Sequence, residues 1–227
     1  NVSLDGDSQF AGVTTSSIYM FLVKRSSPKL DLVEISYPDL KITNTISLDD
    51  IKDIGNIVVS KQSNKLAYST ADGLFVCDKD LTNSQLLLKS NKSEIEDTMD
   101  LKISVPLEFV DNDTKIIYKE IGYEWSNGIG IIDINTGTNN FYEKSDTELL
   151  KYVEPNNIYT KDVYTGVPVN KYISLTKNEE NILNIEDTRC VAINMSEKND
   201  KIVFVKEIVE QSVEQAKTLL DKYMQEE

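Results

Sequence analysis

Histidine is missing from the 227-residue chain, and its absence excludes a large group of catalytic and metal-binding arrangements. Without an imidazole there is no Ser-His-Asp or Cys-His catalytic group, and no zinc or haem held by histidine. The two cysteines, Cys77 and Cys190, are too few for a disulfide framework, and neither has the close partners of a metal site. We expect buried free thiols, with a single disulfide as the alternative, and infer no compartment from them.

Positive charge is scarce as well, with 24 Lys and Arg against 38 Asp and Glu and a net charge of −14. Nucleic-acid binding depends on clustered cations, so we expect no nucleic-acid partner. The same argument disfavours an anionic membrane surface. No apolar run approaches the roughly 20 residues of a spanning helix, so we expect no membrane span. Aliphatic and aromatic residues still make up 40% of the chain, which is enough for a globular core.

Alternation of apolar and polar residues, the pattern of β-strands, runs through most of the chain. Residues 17–23, 30–36 and 41–48 alternate and are joined by short turns, which predicts a meander of antiparallel strands. The same unit then recurs, with later copies opening at residues 58–68, 107–118 and 191–205. The chain is therefore a repeat protein built of strands.

Each copy has a marker residue at the start of its second strand: Ser17, Lys65, Lys115 or Lys201. The first three markers are roughly 50 residues apart, and four strands per period of about 40–50 residues are typical of β-propeller blades. A blade has two apolar faces that only its neighbours can cover. We therefore predict an all-β fold, a β-propeller-like array of four-stranded antiparallel blades with a C-terminal α-helix. The propeller-like domain is predicted over residues 1–206, with units of approximately 10–50, 56–90, 106–145 and 151–206.

The repeats resemble the WD40-like (PD40) repeats of the TolB-type propeller family. The best match is residues 109–118 with 131–137, followed by residues 59–68 with 74–80, where a polar turn, a Lys and an apolar triplet precede a strand that ends in Asp. The usual Ser-Pro-Asp-Gly turn of the family is replaced here by residues 61–64, 111–114 and 197–200. The resemblance implies a fold and no catalytic residues of its own.

Because the chain starts at Asn1 rather than Met, we expect that an N-terminal segment is missing from it. Together with the places where TolB-like propellers act, this favours an exported bacterial protein, extracytoplasmic or at the cell surface, such as the soluble part of a lipoprotein. A cytoplasmic location stays open.

After residue 205 the apolar spacing changes to that of a helix, with Val209, Val213, Ala216, Leu220 and Tyr223 on one face. We predict an amphipathic helix over residues 207–227 that either packs on the propeller or pairs with another helix in an oligomer through residues 207–224. The last blade would then have two strands of its own. Either the chain is part of a longer propeller, or a strand at residues 10–14 completes that blade, or the array is open and capped by the helix.

No motif in the sequence predicts catalysis, a cofactor or a metal. The acidic turns Asp78–Asp80 and Asp111–Asp113 lack the remaining positions of an EF-hand loop, so we interpret them as blade turns. The acidic runs, including Glu94-x-Glu96-Asp97, are interpreted as solvated loops. No serine has a nucleophile context, and nucleotide-binding glycine motifs are absent. We predict that the chain is not an enzyme.

The candidate site is the segment of residues 122–128, which holds the only Trp of the chain. Tyr123, Trp125 and Asn127 follow the second strand of their unit, and the equivalent loop of the first unit contains Lys24, Arg25 and Lys29. Aromatic and cationic groups on one rim can bind a protein, a peptide, a carbohydrate or an anionic group. The alternative is that Trp125 packs over the adjacent blade edge while the cations are solvated.

These observations favour a non-enzymatic binding or scaffold module that uses inter-strand loops. One alternative is the propeller part of a larger hydrolase or peptidase whose catalytic domain lies outside this chain. Another is an assembly protein that oligomerises through the C-terminal helix.

Overall fold

The computed structural model describes residues 4, 6–24, 29–123, 125–145, 147–154, 157–162, 173–178, 180–185, 189–195 and 202–207. The chain divides into two compact units, Asn1–Ser145 and Asp146–Glu227. Each unit has its own sheets, and every strand pair is antiparallel.

The first unit contains three four-stranded sheets, each a meander in chain order. The first sheet consists of β1 (Gly6–Val13), β2 (Ser17–Lys24), β3 (Leu30–Ser36) and β4 (Ile42–Ser47). The second consists of β5 (Ile57–Val59), β6 (Lys65–Thr70), β7 (Gly73–Asp78) and β8 (Gln85–Lys89). The third consists of β9 (Ile103–Val110), β10 (Lys115–Ile121), β11 (Ser126–Asp133) and β12 (Asn139–Glu143), preceded by a 3-10 turn at Thr98–Asp100.

The described residues of the second unit form a four-stranded meander and a two-stranded sheet. The meander consists of β13 (Thr147–Val153), β14 (Asn157–Asp162), β15 (Ile173–Lys177) and β16 (Glu180–Ile185), and the pair of β17 (Arg189–Met195) and β18 (Ile202–Glu207). For the described residues, the prediction of an all-β fold with antiparallel four-stranded sheets is therefore confirmed, with β17 and β18 as a two-stranded sheet.

The described residues contain one 3-10 turn and no α-helix. No helix among them is long and apolar enough to cross a membrane. Residues 208–227 lie outside the described part of the chain, so the predicted C-terminal helix stays a prediction.

The N-terminal strand belongs to the first sheet. Phe10 of β1 lies opposite Met20 of β2, and the pairing extends from Gly6 to Val13. The alternative in which residues 10–14 complete the last blade is therefore wrong, because this segment is already hydrogen-bonded as the first strand of its own sheet.

The second sheet is buried on both faces. Leu66, Tyr68 and Cys77 join a core with the first sheet, whereas Ala67 and Val76 join a core with the third. Since neighbours along a strand point to opposite faces, the apolar triplet of β6 supplies both cores at once. This arrangement confirms that consecutive sheets cover each other, and truncation of a fully buried residue such as Leu66 to Ala would cost about 2–5 kcal/mol.

Inner and outer strands are distinct within the first unit. The first strands β1, β5 and β9 lie against one another in that order. The last strands β4, β8 and β12 are mostly exposed. A polar chain links the inner strands, because Gln9 Nε2 donates to Asn56 Oδ1 at 3.0 Å and Asn56 Nδ2 donates to the carbonyl of Pro106 at 2.8 Å.

The marker lysines occupy equivalent places in the second and third sheets. Lys65 lies opposite Asp78, and Lys115 lies opposite Asp133. Lys65 Nζ is 3.3 Å from Asp78 Oδ1, while Lys115 Nζ is 2.6 Å from an oxygen of Asp111. The environment of Lys201 lies outside the described residues.

Candidate functional site

Each meander has two ends, and the candidate site lies at one of them. In each sheet of the first unit, the second strand ends and the third strand begins at the end of the sheet where the chain also passes to the next sheet. We call this the loop end. The opposite end, which carries the turns between first and second and between third and fourth strands, we call the turn end.

Tyr123 and Trp125 lie on the hairpin that joins β10 to β11. The hairpin closes by a hydrogen bond from the Gly122 amide to the Trp125 carbonyl at 2.8 Å. Tyr123 is 68% exposed and Trp125 is 54% exposed, so neither ring is enclosed by the protein. Ile121, at the end of β10, adds further exposed apolar surface.

Asn127 fixes the base of this hairpin. Ile121 pairs with Ser126 and Glu120 with Gly128, which leaves Asn127 as the extra residue of a β-bulge. Its Nδ2 donates to Glu120 Oε1 at 3.1 Å, and its carbonyl accepts from the Lys144 amide at 2.9 Å. Asn127 therefore positions the hairpin.

The predicted cationic loop is only partly described. Lys24 is the last residue of β2 and lies opposite Gly6, whereas its side chain and all of Arg25 lie outside the described part of the structure. Lys29 is exposed, and its Nζ is 3.5 Å from Asp49 Oδ2. Its charge is thus partly compensated within the first sheet, and its grouping with Trp125 stays a prediction.

A feature that sequence reasoning set aside is the connection from the second to the third sheet, residues 91–102, which we call the acidic connection. Its carboxylate side chains are exposed at Glu94, Glu96, Asp97 and Asp100. Its two ends are tied together, because Asn91 Nδ2 donates to the Asp100 carbonyl at 2.9 Å and Asn91 Oδ1 accepts from the Lys102 amide at 2.7 Å. The acidic run was visible in the sequence, but its place at the loop end was not.

Asp113 is a buried carboxylate that joins two sheets. Its Oδ2 accepts from the backbone amides of Gln62 and Ser63 at 2.6 and 2.7 Å, and the Lys61 amide lies 3.4 Å from Oδ1. A turn of the third sheet thus holds the corresponding turn of the second, about 50 residues earlier in the chain. The interpretation of Asp111–Asp113 as a blade turn is consistent with this geometry.

A second polar cluster joins the first and second sheets at the turn end. Tyr19 Oη and Ser17 Oγ both donate to Glu34 Oε1 at 2.7 Å. Lys79 Nζ donates to Tyr19 Oη at 3.2 Å and lies 4.6 Å from the centre of its ring. Burial, reinforced by Glu34, raises the pKa of Tyr19 to about 12, and burial lowers the pKa of Lys79. These groups stabilise the contact between the two sheets.

The carboxylate of Asp133 binds the backbone of its own turn. Asp133 accepts from the amides of Asn135 and Thr136, both at 2.9 Å, and the Thr136 amide makes the largest contribution that holds the pKa of Asp133 below its usual range. Among the described residues, no three Cys, Asp or Glu side chains are grouped as metal ligands.

Comparison with known proteins identifies a fold and no family. No protein-family model matches the chain, and no curated protein matches it. An oligogalacturonate lyase in complex with manganese is 10% identical with a TM-score of 0.55, covering 85% of this chain and 56% of that one. The oligogalacturonate lyase of Vibrio parahaemolyticus is 10% identical with a TM-score of 0.59, covering 91% of this chain and 60% of that one.

A third similar structure is the hydrazine synthase of Kuenenia stuttgartiensis, 11% identical with a TM-score of 0.50, covering 90% of this chain and 56% of that one. These are β-propeller folds, and at such low identity the likeness shows the fold alone. It is consistent with a propeller and leaves membership of the TolB-type family as a resemblance. The chain spans 56–60% of the length of these structures.

Proposed function

We propose that this chain is a non-enzymatic binding or scaffold module of propeller type, which takes a protein, peptide or sugar ligand at the loop end of its third sheet. One observation carries the proposal: Tyr123 and Trp125, the latter the only Trp of the chain, are both more than half exposed at the tip of one hairpin. Large exposed aromatics on a firmly held loop are typical of ligand contacts, because they offer much surface for few rotatable bonds.

The energy available from these two rings is sufficient to anchor a ligand. Covering their exposed parts removes roughly 200 Å² from water. At about 25 cal/mol per Å² this corresponds to about 5 kcal/mol before the costs of association. The cost of ordering is reduced, because the bulge and the Asn127 hydrogen bonds already fix the hairpin base.

The test is a binding screen of the full chain against arrays of short peptides and neutral oligosaccharides. Each hit is titrated while the fluorescence of Trp125 is followed, and calorimetry repeats the titration with Trp125→Ala. We expect this change to weaken binding by about tenfold or more without lowering the melting temperature. Tyr37→Ala is the matched control, since Tyr37 is 62% exposed at the turn end of the first sheet.

The proposal is contradicted if every ligand that the screen finds binds Trp125→Ala as tightly as the unchanged protein. It is equally contradicted if Tyr37→Ala weakens binding as much as Trp125→Ala. Either result would place the ligand elsewhere.

Catalysis is not part of this proposal, although oligogalacturonate lyases share the fold. Identities of 10% carry no activity over, and a net charge of −14 disfavours a polyanionic sugar. Each of two alternatives has its own test. A catalytic domain encoded beside this chain would favour the propeller part of a hydrolase. A fall in the number of chains per particle on deletion of residues 207–227 would favour an oligomer. Export from a bacterial cell belongs to the proposal, and cell fractionation tests it.

A further inference from the structure

We infer that the loop end of the third sheet binds a cationic polypeptide segment, which places a Lys or Arg side chain against the rings of Tyr123 and Trp125. This inference rests on the proposed function and specifies the chemistry of its ligand. It combines the exposed rings with the charge of the acidic connection, which enters the third sheet at the same end.

The acidic connection carries an excess of negative charge. Its exposed carboxylates, at Glu94, Glu96, Asp97 and Asp100, outnumber its two lysines. One of those lysines is already neutralised, because Lys92 Nζ is 3.0 Å from Asp72 Oδ1. Among the described residues Glu94 and Glu96 make no ion pair. A ligand at this end therefore meets a field that attracts cations.

The backbone brings this charge to the same end of the sheet as the aromatic hairpin. The acidic connection leads into β9, whose first residue, Ile103, lies opposite Ile121 at the end of β10. Tyr123 and Trp125 follow Ile121 directly in the chain. Met99, 56% exposed within the connection, adds apolar surface at this end.

Aromatic faces and carboxylates together favour one class of ligand. The face of a Trp or Tyr ring attracts Lys and Arg, and nearby carboxylates strengthen that attraction. The chain already contains this pairing, since Lys79 Nζ lies 4.6 Å from the centre of the Tyr19 ring. A neutral sugar would gain hydrogen bonds from the carboxylates but no charge attraction, and nucleic acids or acidic sugars would be repelled. A cationic polypeptide supplies both the charge and apolar surface for the rings.

The experiment compares matched probes on the full chain by Trp125 fluorescence and calorimetry. The probes are a short unstructured peptide of Arg, Gly and Leu, the same peptide with every Arg replaced by neutral citrulline, and a neutral cello-oligosaccharide. We expect the Arg peptide to bind at least about tenfold more tightly than the citrulline peptide. Trp125→Ala should weaken the Arg peptide about tenfold or more, whereas Trp125→Phe should retain much of the affinity.

The contribution of the acidic connection is measured with the double variant Glu94→Gln, Glu96→Gln. We expect it to weaken the Arg peptide about fivefold and to reduce the salt dependence of binding. The matched control is Asp39→Asn, Asp50→Asn, which removes the same charge from exposed positions of the first sheet's connections and should leave affinity unchanged.

The outcomes separate this inference from the proposed function. The inference is overturned if the Arg peptide does not bind, or if it binds no more tightly than the citrulline peptide. It is also overturned if the double variant of Glu94 and Glu96 weakens binding no more than the control variant of Asp39 and Asp50. If the citrulline peptide or the sugar is the tighter ligand and is lost on Trp125→Ala, the cationic ligand is wrong while the proposed function stands. If no probe is affected by Trp125→Ala, the inference is wrong, and the proposed function is wrong as well once every ligand from the broader screen behaves in the same way.

Discussion

The carboxylate of Asp113 connects two sheets of the first unit, and its removal makes a quantitative prediction. Asp113 is 7% exposed and has a φ of 61°, which glycine adopts without cost. Asp113→Gly therefore removes the carboxylate without adding backbone strain. Asn112→Gly is the matched control, because Asn112 is the exposed neighbour in the same turn and has a φ of 55°.

The expected magnitude follows from the hydrogen bonds that are lost. The contacts from the Gln62 and Ser63 amides, at 2.6 and 2.7 Å, are short and made to a charged acceptor. Hydrogen bonds to charged groups contribute about 1.5–3 kcal/mol each, so the loss of two in Asp113→Gly should lower the free energy of unfolding by about 3–6 kcal/mol. Asp113→Asn keeps one acceptor oxygen and should lose about half as much. Asn112→Gly should change the value by less than about 1 kcal/mol.

Urea unfolding followed by Trp125 fluorescence measures these changes, since the only Trp lies on the hairpin between β10 and β11 of the third sheet. A loss of under about 1 kcal/mol for Asp113→Gly would refute the reasoning, because the turn amides of the second sheet would then be satisfied without the carboxylate. An effect of Asn112→Gly as large as that of Asp113→Gly would show that glycine in this turn, and not the missing carboxylate, is the cause.

Three further predictions concern buried groups. Ser126→Ala and Ser63→Ala each remove a buried hydroxyl without a hydrogen-bond partner among the described residues, and each should raise the free energy of unfolding in urea by about 1 kcal/mol. Burial, then the charges of Asp78 and Asp80, raises the pKa of Cys77 to about 12, so labelling followed by peptide mass spectrometry should find this thiol unreactive at pH 8 until urea is added. Burial raises the pKa of Tyr118 from 10.0 to about 12. The free energy of unfolding that its neutral form contributes is complete below pH 10 and should fall as the pH rises towards 12. In Tyr118→Phe the urea midpoint should fall less over this pH range, and an unchanged fall would contradict the raised pKa of Tyr118.

The strands of the first unit could be predicted because their signals are local. In β6 the triplet Leu66-Ala67-Tyr68 follows Lys65, and a run that is apolar at every position requires a strand covered on both sides. In the structure, Leu66 and Tyr68 lie in the core shared with the first sheet, and Ala67 lies in the core shared with the third. The repeat of the marker lysine then predicted the equivalence of the second and third sheets, which the pairing of Lys65 and Lys115 with aspartates confirms.

Features that depend on distant pairing could not be read in the same way. The strand pattern of residues 10–14 was visible, but a strand carries no local mark of the sheet it joins, and β1 proved to pair with β2. The turn of Asp113 was predicted as well, but nothing local indicates that its carboxylate binds amides of the preceding sheet. For the same reason the exposed rings of Tyr123 and Trp125 could be nominated as a candidate site, whereas the acidic connection beside them could not be assigned to it.

The turn end has carboxylates that bind groups of the protein, and the loop end has exposed carboxylates, which connects the fold to the proposed function. Three carboxylates of the turn end are engaged by the protein itself: Asp113 binds backbone amides, Asp78 binds Lys65, and Glu34 binds Tyr19. Such carboxylates stabilise the packing of sheets and contribute little external field. At the loop end Glu94 and Glu96 are exposed, and the described residues offer them no cation. These two charges therefore contribute to the external field of the loop end, where the rings of the third sheet are also exposed.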